Sequence, residues 1–164
     1  MHTQRRNAIE RGNLRGARTF DIPTDAVVTT LGELDRTFAD AHFRARAVDP
    51  ASGALRLYRR GSIVGDVLIG GTGLSLVTRR IGPLSALGVV VVWAGDQGRG
   101  ISRVIVSLVA GSEVGADVVD AVQDAVQSLV ARGITLTEGG WSRAVDVDPA
   151  LPVNPRRAAE LGLR

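Results

Sequence analysis

Residues 42–60, HFRARAVDPASGALRLYRR, hold the densest set of side chains in this chain that could do chemistry. Asp49-Pro50-Ala51-Ser52-Gly53 has the composition of a turn: Asp bonds its own backbone, Pro fixes φ and Gly tolerates positive φ. The flanking residues alternate, which predicts a β-hairpin. With Val48 opposite Ala54, Arg46 faces Arg56, Arg44 faces Tyr58 and His42 faces Arg60. Side chains alternate across a strand, so all six share one face. Arginines directly opposite one another repel unless an anion relieves them. The chemistry expected of Arg44, Arg46, Arg56, Tyr58 and Arg60 is therefore anion binding. Guanidinium groups contact phosphate, and Tyr58 offers a stacking platform for a base. One tyrosine falls short of the several aromatics of an RNA-recognition sheet. The plainer reading is a solvated face with Arg44 stacked on Tyr58.

Other chemistries lack their parts. All 20 basic residues are Arg, so lysine nucleophiles, Schiff bases and the P-loop lysine are excluded. There is no Cys, and hence no disulfide, thiol nucleophile or thiolate metal site. The G-x-G-x-x-G fingerprint fails twice: Gly71 and Gly73 lead to Leu76, and Gly98 and Gly100 lead to Arg103. His2 and His42 are too far apart to suggest a metal site. Asp117, Asp120 and Asp124 share a helix face, the usual pattern of a solvated surface. No G-x-S-x-G elbow exists, and Trp93 and Trp141 read as packing residues. No catalytic residue, metal or cofactor is assigned, and the chain reads as a non-enzyme.

The elements that position these residues follow from periodicity. At 164 residues and 45% apolar content the chain suits one domain with an ordinary core. Residues 1–16 read as a mobile basic arm, 17–138 as a single domain and 139–164 as an extended, proline-containing tail ending in a short helix. Val27, Leu31, Leu34 and Phe38 form one helical stripe, with Thr24 or Asp25 as its cap. Val118, Val122, Val126 and Leu129 form a second, closed by Gly133. Strands are expected before the first helix, in the hairpin, at LSLVTRR, at Val89–Trp93, at Ile101–Val109 and at ITLT. This order predicts an α+β fold: an antiparallel sheet with two amphipathic helices on one face.

The valine run adds a condition. Val89, Val91 and Trp93 point one way; Val90, Val92 and Ala94 point the other. A strand apolar on both faces is covered on both. The helices cover one; residues 61–88 or a partner subunit are expected on the other. Val89, Val91 and Trp93, with Arg79 and Arg80, are therefore the interface candidates. Charge is segregated as well: residues 1–18 and 42–60 each carry net +4, while residues 19–41 carry −4 and 111–137 carry −3. Acidic helices and a basic sheet would make the molecule bipolar and able to self-associate.

The segments FDIPTDAVVTTLGEL, DPASGALRL and ISRVIV, with the later amphipathic helix, resemble small uncharacterised bacterial proteins of the helix-grip or TBP-like kind over residues 18–133. That resemblance implies a fold, and a range of roles from lipid binding to interaction modules. The longest uncharged run, Ile81–Gly95, is too short for a spanning helix, and the N-terminus lacks a secretory h-region. The function read from the sequence is a cytoplasmic binding or interaction module that self-associates or binds protein through its sheet face. The alternatives are anion or nucleic-acid binding on the hairpin, and an apolar ligand held between sheet and helices.

Overall fold

A computed structural model describes residues 15–47, 54–61 and 87–163. Residues 1–14 of the basic arm, the hairpin turn, most of the glycine-rich segment with its LSLVTRR strand, and the interface candidates Arg79 and Arg80 lie outside the described residues; residue 16, expected in the arm, already belongs to the first strand. Among the described residues six strands form one antiparallel sheet: β1 (Gly16–Pro23), β2 (Arg44–Ala47), β3 (Leu55–Arg60), β4 (Gly88–Gly98), β5 (Ile101–Ala110) and β6 (Thr137–Arg143). Their order across the sheet is β2-β3-β4-β5-β1-β6. Helix α1 (Val27–Asp40) follows β1, and α2 (Gly115–Ala131) follows β5. The expected α+β architecture is present.

Both helical stripes are buried against the sheet. Leu31, Leu34 and Phe38 from α1 and Val118, Val122 and Val126 from α2 pack on Phe20, Tyr58, Val90, Val92, Val104 and Val106. Each fully buried aliphatic side chain contributes about 1.5–3 kcal/mol before entropy is counted. Helix α2 ends as its sequence dictates. Gly133 has φ 81°, its N–H reaches the Val130 carbonyl at 2.9 Å, and Ile134 N–H reaches Leu129 at 3.0 Å. This is a Schellman motif, which satisfies carbonyls that the helix end would leave bare. The N-terminus of α1 differs from expectation. A 3-10 turn, Thr24–Ala26, leads into the helix and no side chain caps it. The Thr24 hydroxyl instead accepts a bond from Ser102 at 3.0 Å, tying the helix entry to β5.

The tail is the larger departure. Residues 139–163 are not an appendage. The last strand begins only at Thr137, the final residue of ITLT, runs to Arg143 and pairs with β1. The chain then crosses the outer face of the sheet to a short helix, α3 (Pro155–Glu160). Val153, Ala158 and Leu163 pack on Ala17, Leu57, Val89, Val91, Ile105 and Val109. Asn154, 2% exposed, fixes this path. Its amide donates to the Val147 carbonyl at 2.7 Å, and its carbonyl oxygen accepts from Arg156 N–H at 3.0 Å as the cap of α3. The second face of the valine strand is thus covered by the chain's own C-terminal segment. Among the described residues no helix is long and apolar enough to cross a membrane.

Candidate functional site

The hairpin register decides which arginines can meet a ligand. Ala47 pairs with Arg56, Arg46 with Leu57, Ala45 with Tyr58 and Arg44 with Arg59. This is one residue away from the Val48–Ala54 pairing. A slip of one turns a strand over, because the side-chain period is two. The expected single face of six residues is therefore split. Arg56, Tyr58 and Arg60 face the helices; Arg44 and Arg46 face outward, together with Leu55, Leu57 and Arg59. The register is set by the far side of β3: Leu57 lies beside Val91 and Tyr58 beside Val90, so each falls into a different core.

On the inner face the basic residues meet acids of the helices. The Tyr58 side chain is fully buried, rests on Phe38 with ring centroids 4.6 Å apart, and donates to Asp35 at 2.7 Å. Burial, and then the Asp35 carboxylate, push its phenol far above the ordinary range. Tyr58 is not a stacking platform. Arg56 stands 4.0 Å from Asp35. The Arg60 side chain, 1% exposed, pairs with Asp117 of α2 at 2.5 Å, donates to the Ala41 carbonyl at 3.3 Å and lies over the Phe43 ring. Its Nε and Nη2 have no hydrogen-bond partner among the described residues. Two of the hairpin's arginines, Arg56 and Arg60, thus meet helix acids within the same molecule.

On the outer face Arg44 stands directly opposite Arg59, and Arg46 lies two residues along the same strand. All three are exposed. No acid among the described residues forms an ion pair with them. Arg18, Arg36, Arg56, Arg60, Arg103, Arg132, Arg143 and Arg157, in contrast, each have one. Arg59 was missed from the sequence, although the alternation Leu55-Leu57-Arg59 carries its direction. The interface candidates fare differently from one another. Val89 and Val91 are 1% and 0% exposed beneath the tail, so they offer no surface to a partner. Trp93 is half-buried.

Open pockets lined by described residues flank these faces. A cleft of about 270 Å³ lies between the end of α1 and the start of α2, lined by Asp40, His42, Arg60, Asp117, Asp120 and Asp124. Among the described residues no group of three or more His, Asp or Glu is placed to hold a metal ion. The second pocket, about 430 Å³, lies where the tail crosses the outer face. Trp93 and Ile105 from the sheet and Val147 and Leu151 from the tail supply its apolar walls; Arg103, Asp146 and Asp148 are at its polar side. Sequence reasoning missed this pocket, because its walls come from segments about fifty residues apart that no local pattern links.

Titratable groups are shifted by structural pairing. A hydrogen bond from Arg103 holds the Asp21 carboxyl below its usual range. Bonds from Arg36 and then Ser128, with Arg132 nearby, do the same for Glu33. Comparison with protein-family models, with curated proteins and with solved structures found no match.

Proposed function

We propose that the protein is a non-catalytic binding module that takes an anionic partner, single-stranded nucleic acid, on the outer face of the β2–β3 hairpin. The observation that carries this reading is the Arg44–Arg59 cross-strand pair with Arg46 beside it: three exposed arginines on one face with no acid paired to them among the described residues. Like charges held opposite one another cost stability that an anion would return. Arginine forks onto phosphate oxygens and stacks on base planes, so the three can grip a backbone without an aromatic platform. The described residues hold as many acids as arginines. The chain's basic excess lies in residues 1–14, 62–86 and 164, several of which adjoin β1 and the hairpin in sequence. With Tyr58 turned inward, the grip would rest on phosphates and carry little sequence preference.

Asp21 and Glu33 are held ionised by arginines and Tyr58 is held protonated by burial, so these three groups serve the fold. The reading assigns the protein to the cytoplasm.

The test is a fluorescence-anisotropy titration of labelled single-stranded RNA and DNA over a range of salt. The expected result is salt-sensitive binding. An Arg44/Arg46/Arg59 triple alanine variant should weaken it across all sequences and flatten the salt dependence by about two units of log–log slope. Binding that is absent at low salt, or unchanged in the triple variant, overturns the reading.

A further inference from the structure

Trp93 is half-buried on the outer face and lines the pocket beneath the tail. It sits between Leu55 of β3 and Ile105 of β5. Its indole lies along the strand above Gly95: a Cβ at position 95 would be 2.1 Å from Trp93 Cη2 and 2.2 Å from Cζ2. The missing side chain of Gly95 is what lets the ring lie there. The tail supplies the opposite wall through Val147 and Leu151, held in place by the bond from Asn154 to the Val147 carbonyl.

The charges around this ring are unequal. Arg103 is spent: it donates to Asp21 at 2.8 and 2.9 Å. Asp146 shares Arg143 at 3.6 Å across an exposed contact. The Asp148 carboxylate accepts only the Ala150 backbone N–H, at 2.9 Å, and no cation pairs with it among the described residues. An anion entering here would meet two carboxylates and an arginine already engaged. A neutral apolar molecule would leave Asp148 without a cation. A cation with an apolar body satisfies both walls: its charge lies against the indole face and the tail carboxylates, and its methyl groups lie against Ile105, Val147 and Leu151.

We propose that this pocket binds an organic ammonium ion, a quaternary or heavily alkylated ammonium group. Such a group needs no hydrogen-bond donor or acceptor at its charge, so Trp93, Ile105, Val147 and Leu151 can hold it while Thr19, Gln97 and Ser142 form the polar remainder of the lining. The volume of about 430 Å³ is that of a small-ligand site. This site is separate from the arginines of the hairpin and stands or falls without them.

The experiment is isothermal titration of the full chain with choline, and with its uncharged analogue in which a quaternary carbon replaces the nitrogen. Choline should bind saturably, and the carbon analogue about tenfold more weakly. Trp93→Leu should lose about tenfold in choline affinity, Trp93→Phe should keep most of it, and Asp148→Asn should weaken it several-fold. Asp148 is exposed, so the last variant tests the charge without touching the core. Equal binding of the two ligands would make this an apolar pocket and overturn the proposal. So would choline binding that survives Trp93→Leu, which would send the cation to the acidic cleft around Asp120 and Asp124, or the absence of saturable heat.

Discussion

Gly95 and Trp93 occupy one place on the outer face of β4: the space where a side chain at 95 would stand is filled by the indole of 93. Glycine weakens a strand interior because it packs nothing and loses more backbone entropy. Here the neighbouring ring supplies the missing contact, so the glycine is required by its partner. Gly95→Ala must swing the indole off the strand. The expected cost is about 1–3 kcal/mol, the range for forcing an added carbon into a filled site. In a Trp141→Phe background, Trp93 emission should shift to the red as the ring becomes more exposed. An unchanged spectrum with unchanged stability would contradict the contact.

The tail over the outer face is a second dependency of the same strand. Val153 is fully buried against β4 and β5. Val153→Ala should cost about 1–3 kcal/mol through lost burial and the cavity left behind. Val153→Asp should go further and release the segment, because a carboxylate has no partner in that core. The face left open would carry Leu57, Val89, Val91 and Val109, a patch of the kind that drives association. Dye binding and sedimentation should then show exposed apolar surface and oligomers. A monomeric, non-binding Val153→Asp variant would mean that the tail is not what shields the valines.

The contrast between what was legible and what was not follows from period and range. Both helices were readable because Leu31, Leu34 and Phe38, and Val118, Val122 and Val126, repeat at helical spacing and all meet one sheet. Gly133 was readable because a helix end asks for positive φ there. The hairpin register was not: it depends on one residue in the turn, and the alternation of β3 fits either register until Leu57 and Tyr58 are assigned to separate cores. The tail was illegible for a different reason. Val147, Leu151, Val153, Ala158 and Leu163 follow no period, and Pro149, Pro152 and Pro155 interrupt them. Only a sheet face that needs cover gives those residues a common direction.

Glu33 gives the fold a pH dependence of known sign. Its side chain, 3% exposed, bonds Arg36 at 2.9 and 2.5 Å within α1, and Arg132 at the end of α2 lies 2.9 Å away. Its carboxyl is held below the usual 4.5, chiefly by the Arg36 hydrogen bonds and then by Ser128. A group with a depressed folded pKa contributes its stability above the unfolded value and loses it as pH falls through the folded one. Asp21, held down from 3.8 by Arg103, acts in the same direction. Thermal melts of wild type and Glu33→Gln should therefore differ most at neutral pH and converge as pH drops below 4.5. A gap that widens on acidification would reverse the assignment.

The hairpin register itself can be tested without a ligand. In the observed register the Tyr58 hydroxyl is inside, donating to the Asp35 carboxylate at 2.7 Å. Tyr58→Phe deletes one bond to a charged acceptor that is itself partly open to water, and should cost about 1–2 kcal/mol. Arg46 is exposed on the opposite face, where substitutions fall within about 0.5 kcal/mol of neutral. Arg46→Ala should therefore leave denaturant midpoints unchanged while Tyr58→Phe lowers them. In the alternative register Tyr58 would share the solvent face with Arg44 and Arg46, and both changes would be near neutral. Equal and negligible effects in urea titrations would restore that register, and with it a single face holding Arg44, Arg46, Arg56, Tyr58 and Arg60.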